Sequence, residues 1–407
     1  MSTISVDIRQ RLSYPVTMFD LDDELQSLKE AGLLRKLPAV EARSATHIRI
    51  DCRELLLMAS NDYLGLSQHP QLISCGAQAA KKWGAGSGSA RLICGSNTLF
   101  DTLEKRLANF KQTQAALVFS TGYMANIGLL SALAEKDDII FSDELNHASI
   151  IDGCRLSRAR VSVYPHVDIA ALETQLRQSG SYRRRIIVTD GLFSMDGDIA
   201  PLPNLLELAR AHDAVLIVDD AHGTGVLGPD GRGTIAHFGL KDCDRLIVMG
   251  TLGKALGCFG AFVAGSRVLI DYLVNRARSF IFTTAMPPAN VAAALAALDI
   301  VEREPGLRHR LQENMAFMHS ELRSLGFDLG NSQTQIIPIM AGEASTAIAM
   351  AADLMEQGIF LQAIRPPTVP QGAARLRLTV TALHTRQQLE QVVTALKKTD
   401  RICKLIS

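Results

Sequence analysis

A chain of 407 residues with 47% hydrophobic and 21% charged side chains is long enough for one large domain and one smaller one. Its 42 basic and 42 acidic residues cancel, which excludes a general electrostatic attraction to nucleic acid or an anionic membrane. Seven cysteines with no Cys-x-x-Cys pair point to free thiols in a reducing compartment, and the lack of an apolar leader or of a bilayer-length apolar run predicts a cytoplasmic protein.

Residues 1–45 begin irregularly, and Met18 to Leu34 then shows helical spacing through Leu21, Leu25, Leu28, Leu33 and Leu34. Arg35 and Lys36 follow, just before Pro38, where basic groups complement a helix C-terminus. Leu55–Ser60 reads as a short strand entering Asn61-Asp-Tyr-Leu-Gly-Leu66, with a helix after it. Gly84-Ala-Gly-Ser-Gly-Ser-Ala-Arg91 and Gly95 read as a loop that admits something bulky. They miss the dinucleotide fingerprint, because Ser89 and Arg91 stand where its third glycine would fall. From Thr98 onward, apolar runs at 115–119, 139–141, 186–188, 215–218, 246–249 and 261–264 are separated mostly by helix-length segments. That pattern predicts a largely parallel, helix-covered sheet. A long helical stretch follows Ala264, and strands at Ile336–Ile339, Ile359–Ile364 and Leu376–Val380 alternate with helices in a smaller α+β domain. The expected division is an N-terminal helix and extension over 1–60, a large α/β domain over 61–298 and a small domain over 299–407.

Ligand groups in open α/β sheets collect at the carboxyl ends of strands, so the polar residues that end these runs are the candidates. Arg245–Gly260 delivers Lys254 from a buried run into a glycine-rich turn, with Gly250, Gly253, Gly257 and Gly260 freeing the backbone. Desolvation there lowers an ammonium pKa, and a neutral amine is what a Schiff base with an aldehyde cofactor needs. A phosphate-binding or surface lysine is the other reading. A Walker loop is excluded, since Val248 and Ala255 occupy positions where it needs Gly and Ser or Thr. Ala214–Val218 ends in Asp219 and Asp220, with His222 just beyond. An aspartate at that place can hold a pyridine nitrogen protonated, although two adjacent acids also suit a metal site or a helix cap. With Lys254 at the end of the next strand, pyridoxal phosphate is the better account, and no metal is expected. Ser120–Asn126 opens a helix, which suits either a phosphate or plain capping by Ser120 or Thr121. Asn146-His147 and Asp190–Gly197 follow two further runs, and a lone histidine in such a place is more often structural.

Together, Asn61-Asp-Tyr-Leu-Gly-Leu, Asn146-His-Ala-Ser, Phe193-Ser-Met-Asp-Gly, Val218-Asp-Asp-Ala-His-Gly-Thr-Gly, Thr251-Leu-Gly-Lys and Ile364-Arg-Pro-Pro-Thr-Val-Pro resemble the α-oxoamine synthase family of fold-type-I pyridoxal phosphate enzymes. The resemblance covers nearly the whole chain. It implies an α/β large domain with a mostly parallel seven-stranded sheet, a smaller α+β domain, and a homodimer with shared active sites. Lys254 would be the Schiff-base lysine, Asp219 the partner of the pyridinium nitrogen, and His222 that of the phenolic oxygen, with His147 stacked on the ring and assisting catalysis. Gly122, Tyr123 and Thr251 would hold the phosphate, with Ser194 against the cofactor and Thr283 and Thr284 reaching the cofactor of a second copy. Arg377 would receive the amino-acid carboxylate, and Arg35, Asn61, His147 and Thr368 would contact substrate. The Ile-Arg-Pro-Pro-Thr segment favours the branch that condenses L-alanine with a pimeloyl thioester, of coenzyme A or an acyl carrier protein, in biotin biosynthesis. A sister that joins glycine to an acetyl group is the alternative, and a non-catalytic pyridoxal-binding regulator a remote one.

Overall fold

The computed structural model describes residues 21–35, 37–240 and 245–403. The N-terminal helix runs over Leu21–Glu30; Met18 to Asp20, where it was expected to start, and Lys36 lie outside the described residues. Its leucine stripe faces outward, with Leu21, Leu25 and Leu28 all exposed. The chain then reverses at Gly32, whose φ of 66° lets the backbone N–H groups of Leu33 and Leu34 both reach the Leu28 carbonyl.

A seven-stranded sheet organises the centre of the molecule. Its spatial order is Ala115–Phe119, Ala261–Gly265, Leu246–Thr251, Ala214–Asp219, Arg185–Asp190, Ile139–Asp143 and Arg160–Tyr164. Four pairings are parallel, while Ala261–Gly265 runs antiparallel to both of its neighbours. The reason is chain length. Only residues 252–260 separate Leu246–Thr251 from Ala261–Gly265, too few for a crossover, so the chain must turn straight back. Lys254 sits in that turn. Helices cover both faces, and the inner strands are apolar and buried along nearly their whole length, as sheets covered on both sides require.

The sheet contains one strand that the apolar runs did not announce. Arg160–Tyr164 is an edge strand exposed along most of its length, and it alternates Val with polar residues instead of forming a run. Toward the C-terminus, Ile336–Gly342, Ala374–Thr379 and Gln362–Ile364 form a three-stranded antiparallel sheet. Ile359–Ile364, expected as one strand, is two. Ile359 and Phe360 pair in parallel with Leu56 and Leu57, and Gln362 to Ile364 pair with Arg375 to Arg377. The N-terminal hairpin of His47–Ile50 and Arg53–Leu57 is therefore completed by residues from the far end of the chain.

Candidate active site

Lys254 follows the strand Leu246–Thr251, in a turn that Gly257 closes with φ +63°. A Cβ on Gly257 would lie 2.4 Å from the Ser67 backbone nitrogen, so only glycine lets the turn rest on that loop. Lys254 Nζ lies 2.7 Å from His222 Nε2, and His222 Nδ1 lies 2.7 Å from Tyr63 Oη. Both ends of the imidazole are thus engaged. Burial lowers the Lys254 pKa to about 8; Asp219 and Asp190 oppose the shift and Arg377 adds to it. Burial also carries the His222 pKa well below its ordinary value, helped by Lys254, Arg377 and His147. The lysine therefore faces a neutral imidazole.

The two adjacent acids point in opposite directions, as alternation along a strand dictates. Asp220 turns away from Lys254 and meets Lys111 Nζ at 2.6 Å, with Thr234 N and Thr234 Oγ1 donating at 2.9 and 2.8 Å. Its role is structural: a fully buried ion pair behind the crevice. Asp219 faces the crevice, where Asn126 Nδ2 donates to Oδ2 at 2.7 Å and Ala221 N to Oδ1 at 3.0 Å. Asp190, at the end of the neighbouring strand, accepts the His147 backbone N–H at 2.8 Å. Burial and the charge of Asp219 hold the Asp190 pKa well above the carboxylate range.

His147 begins the helix Ala148–Ser157 and caps it through Nδ1, which accepts from Ser149 N at 3.2 Å. Gly122 and Tyr123 open the helix Gly122–Leu133, whose first N–H groups have no intrahelical acceptor and suit an anion. Tyr123 turns its hydroxyl to Asp152, leaving its backbone N–H for that purpose. Thr251 uses its hydroxyl within the turn, donating to Gly260 O at 3.0 Å and accepting from Gly253 N at 3.1 Å. Thr284 forms a bridge with Ala90 and accepts from Ser120 Oγ at 3.5 Å, so it lies beside its own chain's strand end. Thr283 precedes it.

Arg377 is buried on the strand Ala374–Thr379. It donates to Ser194 O, to Asn61 Oδ1 at 3.1 Å and to Tyr63 Oη at 3.4 Å, all neutral oxygens. A buried guanidinium so placed has capacity left for a carboxylate. Arg375, two residues earlier, is already paired with Asp196. Arg35 Nη2 donates to Thr368 Oγ1 at 3.4 Å, and Arg365 Nη2 donates to Leu34 O at 3.1 Å. Pro38 and Val40, a few residues on, line a cavity of about 500 Å³ that opens onto Lys254 and Asn61, with Leu57 and Phe360 as apolar walls. A cavity of about 560 Å³ around Asp101 and Arg267 is lined by none of the residues that surround Lys254.

The residues expected at the site thus form three groups. Lys254, Asp219, His222 and His147 surround one crevice, Arg377 reaches it through Tyr63, Asn61 and Ser194, and Arg35 with Thr368 forms a separate pair that does not line the cavity beside Lys254. Tyr63, Asn126, Ser149 and Asp190 belong to the same network and were not singled out in the sequence, although the motifs around Asn61, Ser120, His147 and Ser194 contain all four.

The crevice fits an aldehyde cofactor with a phosphate: a desolvated lysine, an acceptor-only carboxylate beside it, and an open helix N-terminus. The model of the aminotransferase class I and II family matches residues 53–396. The chain is 51% identical over 377 residues to 8-amino-7-oxononanoate synthase from Geobacter sulfurreducens, covering 92% of this chain and 96% of that one. It belongs to the 8-amino-7-oxononanoate synthase family. The Bacillus subtilis relative, 8-amino-7-oxononanoate synthase 1, is 46% identical over 386 residues, with 95% and 98% covered. Among solved structures, a serine palmitoyltransferase from S. paucimobilis with bound PLP and myriocin superposes with a TM-score of 0.90 at 31% identity, covering 97% of this chain and all of that one. A family member from Francisella tularensis gives 0.75 at 32% identity over 86% of this chain and 99% of its own. The fold is that of fold-type-I enzymes, as the motifs implied.

Proposed function

We propose that the chain condenses L-alanine with a pimeloyl thioester, releasing 8-amino-7-oxononanoate, carbon dioxide and the free thiol, with pyridoxal phosphate as its cofactor. A bond forms between the alanine α-carbon and the acyl carbonyl, the carbon–sulfur bond breaks, and the alanine carboxylate leaves as carbon dioxide. When bound, the cofactor supplies an aldehyde for covalent attachment and a ring that accepts electrons. Gly122 and Tyr123 would hold its phosphate, and Asp219 its ring nitrogen.

The chain's own residues account for the proton and charge work. With a pKa of about 8, Lys254 keeps a neutral fraction near pH 7, which lets Nζ bond to a carbonyl and afterwards move a proton at the alanine α-carbon. His222, kept neutral by burial, hydrogen-bonds the same Nζ through Nε2 and is held at its other nitrogen by Tyr63, so it orients the amine. Arg377 binds the alanine carboxylate with its planar fork. The acyl chain would lie in the cavity beside Lys254, with Arg35 and Thr368 reading its far end. The observation that carries the reading is Lys254 itself, a strand-end lysine with a lowered pKa facing Asp219 in a chain 51% identical to a synthase of this name.

We read residues 61–298 as the large unit, 299–407 as the small one and 1–60 as an extension. A homodimer is supported by apolar side chains exposed near the Ala90–Thr284 bridge, with Ile93 81% and Phe282 70% accessible. In it, Thr283 and Thr284 would reach the second copy's cofactor phosphate. Among the described residues no helix is long and apolar enough to cross a membrane, and we place the enzyme in the cytoplasm. The deciding experiment is mass spectrometry of the products from alanine with pimeloyl-coenzyme A or a pimeloyl acyl carrier protein, beside glycine with acetyl-coenzyme A. The C-acetyl product alone would replace this reading with that of the sister synthase.

A further inference from the structure

Behind Asp219 a chain of hydrogen bonds runs from its carboxylate to the ring of His147, through two side chains that no role above uses. Asn126 Nδ2 lies 2.7 Å from Asp219 Oδ2 and 2.8 Å from Ser149 Oγ, and Ser149 Oγ lies 2.7 Å from His147 Nδ1. Asn126 and Ser149 are each 1% exposed, so water does not compete for the bond between them, while His147 at the end of the relay is exposed. We infer that Asn126 and Ser149 are positioning residues that tie the His147 ring to Asp219 and fix its proton on Nε2, so that His147 offers a donor to the substrate and does not act as a base.

Donor and acceptor counting gives the direction of every bond. Asp219 accepts at both oxygens, from Ala221 N at Oδ1 and from the Asn126 amide nitrogen at Oδ2. The second N–H of that amide points to Ser149 Oγ, which therefore accepts and turns its single proton toward His147 Nδ1. Ser149 N donates to the same Nδ1 at 3.2 Å. Two donors converge on one ring nitrogen, which must carry the lone pair. A proton on Nδ1 would face the Ser149 N–H head-on and would displace the hydroxyl proton from its acceptor.

The helices make the register possible. Gly122–Leu133 carries Asn126 and Ala148–Ser157 carries Ser149, and they approach closely at Gly153, where a Cβ would lie 2.8 Å from Leu130 Cδ1 and 3.0 Å from Asn126 O. The titratable groups facing His147 are Asp219, Asp190, whose carboxyl is held well above the carboxylate range, and Lys254. Burial, the largest influence, lowers its pKa, and Lys254 acts in the same direction against Asp219. A neutral ring agrees with the relay.

The inference rests on the reading of this crevice as the catalytic site, but its first test needs neither cofactor nor substrate. In cofactor-free, ¹⁵N-histidine-labelled protein, long-range proton–nitrogen correlation spectra should show His147 as the Nε2–H tautomer at neutral pH. Asn126→Ala and Ser149→Ala leave only the longer 3.2 Å backbone donor fixed on Nδ1, so each should let the Nδ1–H form appear as a minor population, while Ser149→Thr, which keeps the hydroxyl, should retain the parent pattern. In the loaded enzyme, Ser149→Ala should lower kcat about tenfold with the amino-acid KM unchanged, as expected for one misaligned donor. An Nδ1–H ring in the parent, or a tautomer indifferent to both alanine variants, overturns the inference. A failure of the pimeloyl reaction alone would overturn the substrate assignment and leave the tautomer result standing.

Discussion

Replacing Lys254 by Met should make the cofactor-free protein more stable, because its buried amine is held where a charge is disfavoured. A pKa lowered from 10.5 to about 8 corresponds to about 3 kcal/mol of penalty at pH 7 on the charged form. Methionine removes that penalty and fills similar space. It also forfeits the 2.7 Å bond to His222, worth about 1 kcal/mol, which leaves a net gain of about 2 kcal/mol. The pH dependence has a definite sign. Since the folded pKa is the lower one, the unfolded chain holds the extra proton between pH 8 and pH 10.5, and the parent gains stability as pH rises through that window. The advantage of the variant should therefore shrink to about 0.5 kcal/mol by about pH 9.5. Urea unfolding of both cofactor-free proteins at the two pH values measures it. A variant less stable than the parent at pH 7, or a gap that does not change with pH, refutes the reasoning.

Lys111→Met should cost about 3–5 kcal/mol in the same assay, because it strands the fully buried Asp220 carboxylate, and adding Asp220→Asn should recover part of the loss. Arg377→Lys keeps the charge but loses the planar fork, so the KM for alanine should rise about tenfold or more while attachment of the cofactor to Lys254, read by borohydride reduction and peptide mapping, persists. Arg35→Ala should weaken use of the pimeloyl thioester by about 1–3 kcal/mol in kcat/KM and leave alanine binding nearly unchanged. Loss of alanine binding instead would place the distal carboxylate elsewhere.

What the sequence revealed and what it concealed follow one physical distinction. Lys254, Asp219, His147 and His222 were legible because each ends an apolar run, and strand ends converge on one crevice whatever the details of packing. The separation of Asp219 from Asp220 needed only the alternation of a strand. Tyr63 was not legible, because its bond to His222 spans 159 residues and depends on how a loop folds over the sheet. Asn126 and Ser149 meet only through the spacing of two helices at Gly153, which no single-segment pattern records. The Ile359–Ile364 run read as one strand because its apolar character is continuous; the change of partner at Leu361 belongs to tertiary structure.

The pairing of Arg53–Leu57 with Ile359–Phe360 sets a waiting time during synthesis. About 300 residues separate the two strands, and a ribosome adding ~5–20 residues each second needs roughly 15–60 s to make them. Until then Ile48, Ile50, Leu55 and Leu57 lack the Phe360 ring that they cluster around. The open edge of Arg53–Leu57 is meanwhile a template for any neighbouring nascent chain. Asn61 and Tyr63 lie just beyond that edge, and their partner Arg377 emerges later still, so the crevice is completed only after more than 300 further residues have been made.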